Sequence, residues 1–200
     1  RKPGEELAEA VFQSMNCYPD LNLLCLENHG VVLFSDDINE IELQIALLQK
    51  ICKKDEFSIN VLSKHSIPQA IHNTEYKLLD DLQMNSLVFS NDIYSQLSHL
   101  WPICPDHLVF LGHRPYLYDH FDDFLDSENT SFQSPLIFVK NKGIYIHKGI
   151  FTKIHFIQLQ CFIDILLRLD RYEGIPVIPE NEIQKLLNWD AEKYRQQMNQ

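Results

Sequence analysis

One histidine in this chain is placed as metal-binding and catalytic imidazoles often are. His29 lies in the Glu-Asn-His-Gly sequence at 27–30, between the apolar segments 23–26 and 31–34. We predict that these segments are two short strands and that His29 lies where they meet. A ring that a rigid backbone holds at the end of a strand can bind a metal or carry a proton.

Helices are predicted on both sides of this hairpin. A carboxylate-rich start favours a helix over residues 5–16. A second helix can be capped by Asp36 or Asp37, because either carboxylate can accept a backbone N–H. Its predicted apolar stripe consists of Ile38, Ile41, Ile45, Leu48 and Cys52. The unit is therefore helix, hairpin, helix, and its apolar faces need a partner sheet.

Residues 136–146 repeat the design of the first hairpin. Both copies have four apolar residues, a charged residue, Asn, a basic or imidazole residue, Gly and a second apolar segment. Lys142 stands where the first copy has His29, and glycine at 30 and 143 permits the positive φ that such turns need. Either the two hairpins share a sheet, or both are ordinary Asn-x-Gly turns between buried strands.

The remaining segments are predicted from their patterning. We expect helices over 74–82, 91–100, 152–170, 181–187 and 190–197, a strand over 105–112, a solvated acidic loop over 119–128 and an anchoring role for Trp189. His155 is interpreted as a packed core residue, because no ligand-type residue stands three or four positions further on. His107 and His113 would share one face of a strand but lie too far apart for one metal. Residues 57–101 suggest no chemistry.

Composition and charge exclude several classes of protein. The 200 residues are 45% hydrophobic and 22% charged, which suits a globular domain with a real core. The net charge of −11 argues against a nucleic-acid partner, since such proteins neutralise phosphates with clustered cations. No apolar stretch is long enough to span a bilayer, so no membrane partner is expected. Five cysteines without a CxxC pair suggest reduced thiols, buried at Cys25 and Cys161, and a cytoplasmic location.

Several patches of sequence resemble one family when taken in order. Residues 3–11 (PGEELAEAV) and 23–34, with their Glu-Asn-His-Gly, resemble the later half of the class II aldolase and adducin head family. Residues 105–112 (PDHLVFLG), 138–143 and 188–195 (NWDAEKYR) resemble the long-aldolase branch found in rhamnulose-1-phosphate aldolase/alcohol dehydrogenase fusion proteins. No dinucleotide motif is present, so the dehydrogenase half is not represented.

The resemblance implies an α/β (α+β) fold with a class II aldolase-like central, mainly antiparallel sheet flanked by helices. It also implies a homo-oligomer and a zinc-type site of three histidines, which stabilises the enediolate formed by retro-aldol cleavage of a sugar phosphate. His29 matches the third family histidine and is the one metal ligand that transfers by position. No catalytic residue transfers.

The chain also departs from the family pattern. The His-x-His pair, the catalytic glutamate and the glycine-rich phosphate loop lie ahead of the Pro-Gly helix in the family, whereas only Arg1 and Lys2 precede that helix here. We therefore expect that the N-terminal part of the fold is missing and that this chain alone binds zinc weakly or not at all. Ser35-Asp36-Asp37 replaces the usual Gly-Asp-Thr, which suggests a divergent member.

Two functions follow as hypotheses. The first is a metal-dependent aldehyde-lyase in the intact parent protein, with residues 1–56 as the C-terminal part of the aldolase-like core and 57–200 as a family-specific extension packed on the same domain. Its partners would be a small-molecule sugar phosphate and further copies of the chain. The alternative is a non-catalytic, adducin-like scaffold or interaction domain.

Overall fold

The computed structural model describes residues 4–53, 74–127 and 134–189. The chain divides into two compact units, Arg1–Asp55 and Glu56–Gln200. Helices combine with one antiparallel and one mixed sheet, so the protein belongs to the α+β class. Within the three described ranges, no helix has the length and apolar character needed to cross a membrane.

The first unit is the predicted helix, hairpin, helix. Its elements are α1 (Glu5–Cys17), β1 (Leu23–Leu26), β2 (Gly30–Leu33) and α2 (Ile38–Cys52). β1 and β2 pair in antiparallel register, with Leu26 opposite Gly30. Of the two candidate caps, Asp37 begins α2, because its carboxylate accepts the backbone N–H of Asn39 at 2.9 Å.

Apolar side chains of the first unit are largely exposed. No described side chain from residue 4 to residue 53 is buried. Nine of the eleven large exposed apolar side chains in the described residues belong to this unit: Phe12, Met15, Tyr18, Val31, Ile38, Leu43, Ile45, Leu47 and Ile51. In the predicted stripe of α2, only Ile41 and Leu48 are half-buried. Such a concentration of apolar surface is unusual for a monomeric unit.

The second unit contains the main hydrophobic core. Its elements are β3 (Tyr76–Leu78), α3 (Leu82–Ser86), a 3₁₀ turn (Leu87–Phe89), α4 (Asn91–Gln96), a π-helix (His107–Leu111), β4 (Leu117–Tyr118), α5 (Phe121–Ser127), β5 (Leu136–Val139), β6 (Gly143–His147), α6 (Lys153–Leu166) and α7 (Glu180–Leu187). The sheet order is β3-β6-β5-β4. Only the β4–β5 pair is parallel, so the sheet is mainly antiparallel.

Strand β5 is buried on both faces of this sheet. Leu136 and Phe138 belong to the large core cluster that also includes residues of α3, α4 and α6. Ile137 and Val139 point to the other face and pack in a smaller, aromatic-rich cluster with Tyr145. Burial on both faces explains why β5 is continuously apolar rather than alternating.

Three predicted elements are wrong. The helix predicted over 74–82 is in fact β3, because Tyr76 pairs with His147 across the sheet. The strand predicted over 105–112 is the π-helix, all five residues of which are buried. The acidic loop predicted over 119–128 contains α5, because Phe124 is buried in the aromatic-rich cluster and anchors that helix.

Other boundaries and side chains differ less. The helices expected over 91–100 and 152–170 end earlier, as α4 and α6, and the helix over 181–187 is α7. Trp189 packs beside a small cluster of α7, as predicted. The thiols of Cys25 and Cys161 are exposed, which corrects the expectation of burial, although all five cysteines are free. The predicted helix 190–197 and residues 57–73 lie outside the described residues.

Candidate functional site

A three-residue turn holds His29 between β1 and β2. The N–H of His29 donates to the carbonyl of Leu26 at 3.0 Å, which closes the turn. Asn28 has a φ of 61° and Gly30 a φ of 130°, so both lie in the left-handed region. Asn tolerates this conformation better than most residues, and Gly adopts it without strain. The local sequence therefore fixes the backbone that carries the imidazole.

The side chain of His29 is exposed on this turn. It is therefore not packed into an apolar interior. In the described parts of the chain, however, no three His, Cys, Asp or Glu residues are grouped closely enough to hold a metal ion. The described residues therefore do not make a metal site by themselves. A site would need further donors from polypeptide other than these residues.

The second hairpin repeats the backbone of the first. Asn141 has a φ of 54° and Gly143 a φ of 149°. The N–H of Lys142 donates to the carbonyl of Val139 at 3.0 Å, in the position that the His29 N–H occupies in the first copy. The likeness seen in the sequence is thus present in three dimensions. The two hairpins nevertheless lie in different sheets, so the hypothesis of a shared sheet is wrong.

The environment of the second turn differs from that of the first. Around Gly30 no atom lies within 4 Å of an added Cβ, whereas at Gly143 a Cβ would collide with Leu78 and meet Asn85 Oδ1 at 3.0 Å. Asn85 also accepts the N–H of Ile144 at 2.7 Å. The glycine of the second turn is thus built into the core, whereas Gly30 is exposed; the side chains of His29 and Lys142 are both exposed, and only His29 carries a metal-binding ring.

The three other histidines singled out from the sequence lie in three different environments. His107 is fully buried in the π-helix. Burial lowers its pKa to about 4, although the charge of Asp106 acts to raise it. His113 is exposed beyond that helix, so the two do not share a strand face. His155 Nδ1 accepts the N–H of Thr152 at 3.1 Å, which caps α6, and burial lowers its pKa.

A cleft of about 620 Å³ in the second unit was not predicted from sequence. Its walls include Trp101, His113, Arg114 and Ile183. The adjacent basic residues at 113–114 could have drawn attention to it, because cations are scarce in this acidic chain. The strand wrongly predicted over 105–112 drew attention away from residues 113–114, because it placed them at the edge of a regular sheet rather than in the wall of a cleft.

Comparisons with protein-family models, with curated proteins and with solved structures give no match for this chain. The family resemblance therefore depends on the sequence motifs alone.

Proposed function

We propose that this chain is part of a class II aldolase-like, metal-dependent lyase that cleaves a sugar phosphate, and that His29 is one of its metal ligands. The supporting observation is the turn at 27–30, which holds an exposed imidazole by one backbone hydrogen bond and two left-handed residues. In the family, an Asn-His-Gly sequence at the end of an apolar strand supplies such a ligand.

The proposal requires donors that the described residues do not supply. One imidazole leaves three zinc positions to water, which gives weak binding. The remaining ligands would come from elsewhere in the intact protein or from another subunit. A divalent ion held in this way would supply Lewis-acid stabilisation of negative charge. Within this chain, the contribution would be to place one neutral imidazole nitrogen at a fixed position.

The exposed apolar surface of the first unit fits the same proposal. Leu43, Leu47 and Ile51 are spaced at i, i+4 and i+8, so they form one row along α2. In a complete aldolase-like fold, the rest of the core or a neighbouring subunit would cover this row. We accordingly propose that the intact protein is a cytoplasmic homo-oligomer.

The direct test of the lyase is retro-aldol activity of the intact protein. Ketose phosphates would be supplied one at a time, and the aldehyde released would be measured with a coupled reductase. The proposal predicts cleavage that a chelator abolishes and that added zinc restores. Cleavage that survives exhaustive chelation, or no cleavage of any ketose phosphate by zinc-loaded protein, would contradict it.

A scaffold domain without catalytic activity is the second candidate, and the row on α2 favours it. In that case, Leu43, Leu47 and Ile51 would bind a second copy of the chain. Leu47→Glu tests whether this row holds the assembly, and the zinc content of the wild-type protein separates the two candidates. A scaffold would lose its assembly, measured by sedimentation equilibrium, and the wild-type protein would contain no zinc at any step of a metal-supplemented purification. The lyase requires bound zinc in the wild type.

A further inference from the structure

The second unit contains a cleft that the lyase proposal does not use. Its volume is about 620 Å³, which falls within the range of sites for small organic molecules. All of its wall residues lie between Ser98 and Ile183, so it belongs entirely to the second unit.

The floor of the cleft is apolar. Trp101, Ile178 and Ile183 line it, and each is at least nine-tenths buried. The indole N–H of Trp101 donates to the carbonyl of Gly112 at 2.8 Å. Because its polar atom is thus satisfied, Trp101 contributes only ring surface. Because these three side chains are almost covered, they offer a small apolar patch in a cleft whose exposed surface is mainly polar, enough for one edge or face of a small ring.

The rim of the cleft carries a fixed cation. Arg114 is exposed, and its guanidinium carbon lies 5.0 Å from the centroid of the Tyr116 ring. At this distance the guanidinium is attracted to the face of the ring, which favours this position of the arginine at the rim. Among residues 4–53, 74–127 and 134–189, no carboxylate forms a salt bridge with Arg114. His113, next to it, is also exposed on the cleft.

Two further side chains affect the charge of the cleft. Ser98 presents an exposed hydroxyl, which can donate to an anion. Glu180 also lines the cleft, but its Oε1 accepts a hydrogen bond from Gln184 Nε2 at 3.1 Å along α7. The negative charge of Glu180 repels an anion. Removal of this charge should therefore affect anion binding in the opposite direction to removal of the charge of Arg114.

We propose that this cleft binds a small organic anion, whose carboxylate or phosphate oxygens pair with Arg114 and whose apolar or aromatic body lies on Trp101, Ile178 and Ile183. A guanidinium binds either oxyanion through two parallel hydrogen bonds. The proposal does not depend on His29 or on the lyase, because every residue that lines the cleft belongs to the second unit and His29 belongs to the first.

The experiment is a calorimetric titration of the full chain with phenyl phosphate, benzoate and benzyl alcohol. These probes share an aromatic ring and differ in the charged group. For ligands of this size we expect a dissociation constant on the order of 1 mM. Binding of phenyl phosphate alone would assign the natural ligand to phosphates, and binding of benzoate alone to carboxylates. Equal binding of benzyl alcohol, or no binding of either anion, would overturn the proposal.

Two variants that change the charge of the cleft in opposite directions complete the test. Arg114→Gln should weaken binding of the anion by about tenfold or more, because it removes a charge-assisted pair. Glu180→Gln should strengthen it, and Arg171→Gln, which changes an exposed arginine outside the lining, should leave it unchanged. Circular dichroism would verify that each variant is folded. If Arg114→Gln binds as tightly as the wild type, or if Glu180→Gln binds more weakly, the proposal fails.

Discussion

Asn28 and Asn141 occupy the same position in two separate hairpins, and both have a left-handed backbone, with φ of 61° and 54°. Each is followed, two residues later, by a glycine with positive φ. The two glycines differ in what surrounds them, since Gly30 is exposed and Gly143 is buried against Leu78 of β3 and Asn85 of α3. This contrast gives the first two predictions.

The two turn glycines should differ in their tolerance of a side chain. Gly30→Ala introduces backbone strain alone, which costs roughly 1–2 kcal/mol. Gly143→Ala also forces the end of the Leu78 side chain to move and meets Asn85 Oδ1 at 3.0 Å, so we expect roughly 1 kcal/mol more. Urea unfolding followed by circular dichroism would measure both free energies. An equal loss of stability in the two variants would contradict the enclosed turn.

Asn85, on α3, should be the polar residue on which the second hairpin depends most. It is 1% exposed, and its amide donates to the carbonyls of Leu79 at 2.7 Å and Asp81 at 2.6 Å. Asn85→Leu keeps the approximate volume but leaves the N–H of Ile144 without its acceptor, which costs about 3 kcal/mol. The exposed Asn181→Leu change is the matched control. A loss below about 0.5 kcal/mol in Asn85→Leu would refute this role.

His107 should make the protein sensitive to acid. Burial lowers its pKa from 6.5 to about 4, so the unfolded chain binds this proton more tightly than the folded chain does. The contribution of neutral His107 to the free energy of unfolding is therefore complete above pH 6.5. It is lost as the pH falls from 6.5 through 4. The loss amounts to about 3 kcal/mol at complete protonation.

The variant His107→Leu tests that prediction. Among the described residues, neither ring nitrogen of His107 has a hydrogen-bond partner, so leucine abandons no polar contact there. Unfolding free energies measured from pH 7 to pH 4 should fall less steeply in His107→Leu than in the wild type. The exposed His120→Gln variant should retain the wild-type slope. Identical slopes in His107→Leu and wild type would rule out this histidine as the cause.

The sequence predicted both hairpins, because the Asn-x-Gly spacing reports a local backbone requirement. It failed at the π-helix, where His107 to Leu111 are all buried and periodicity cannot separate a strand from a helix. It failed at β3, because Tyr76 pairs with His147, which lies far along the chain. Long-range pairing overrides local helical preference.

The cleft illustrates a different limit of sequence analysis. Its floor combines Trp101 with Ile178, and its rim combines Ser98 with Glu180. No local pattern joins such distant positions. His29, in contrast, could be singled out because its turn, its strands and its imidazole are consecutive in the chain.

The most direct test of the central claim is the zinc content of the intact protein with and without His29. Zinc would be measured by atomic emission after purification in zinc-supplemented buffer, with exposed His99→Ala as the control. We predict that wild type and His99→Ala retain bound zinc and that His29→Ala loses most of it, since removal of one ligand weakens a tetrahedral site severely. Equal zinc content in His29→Ala and wild type would contradict the assignment of His29 as a metal ligand.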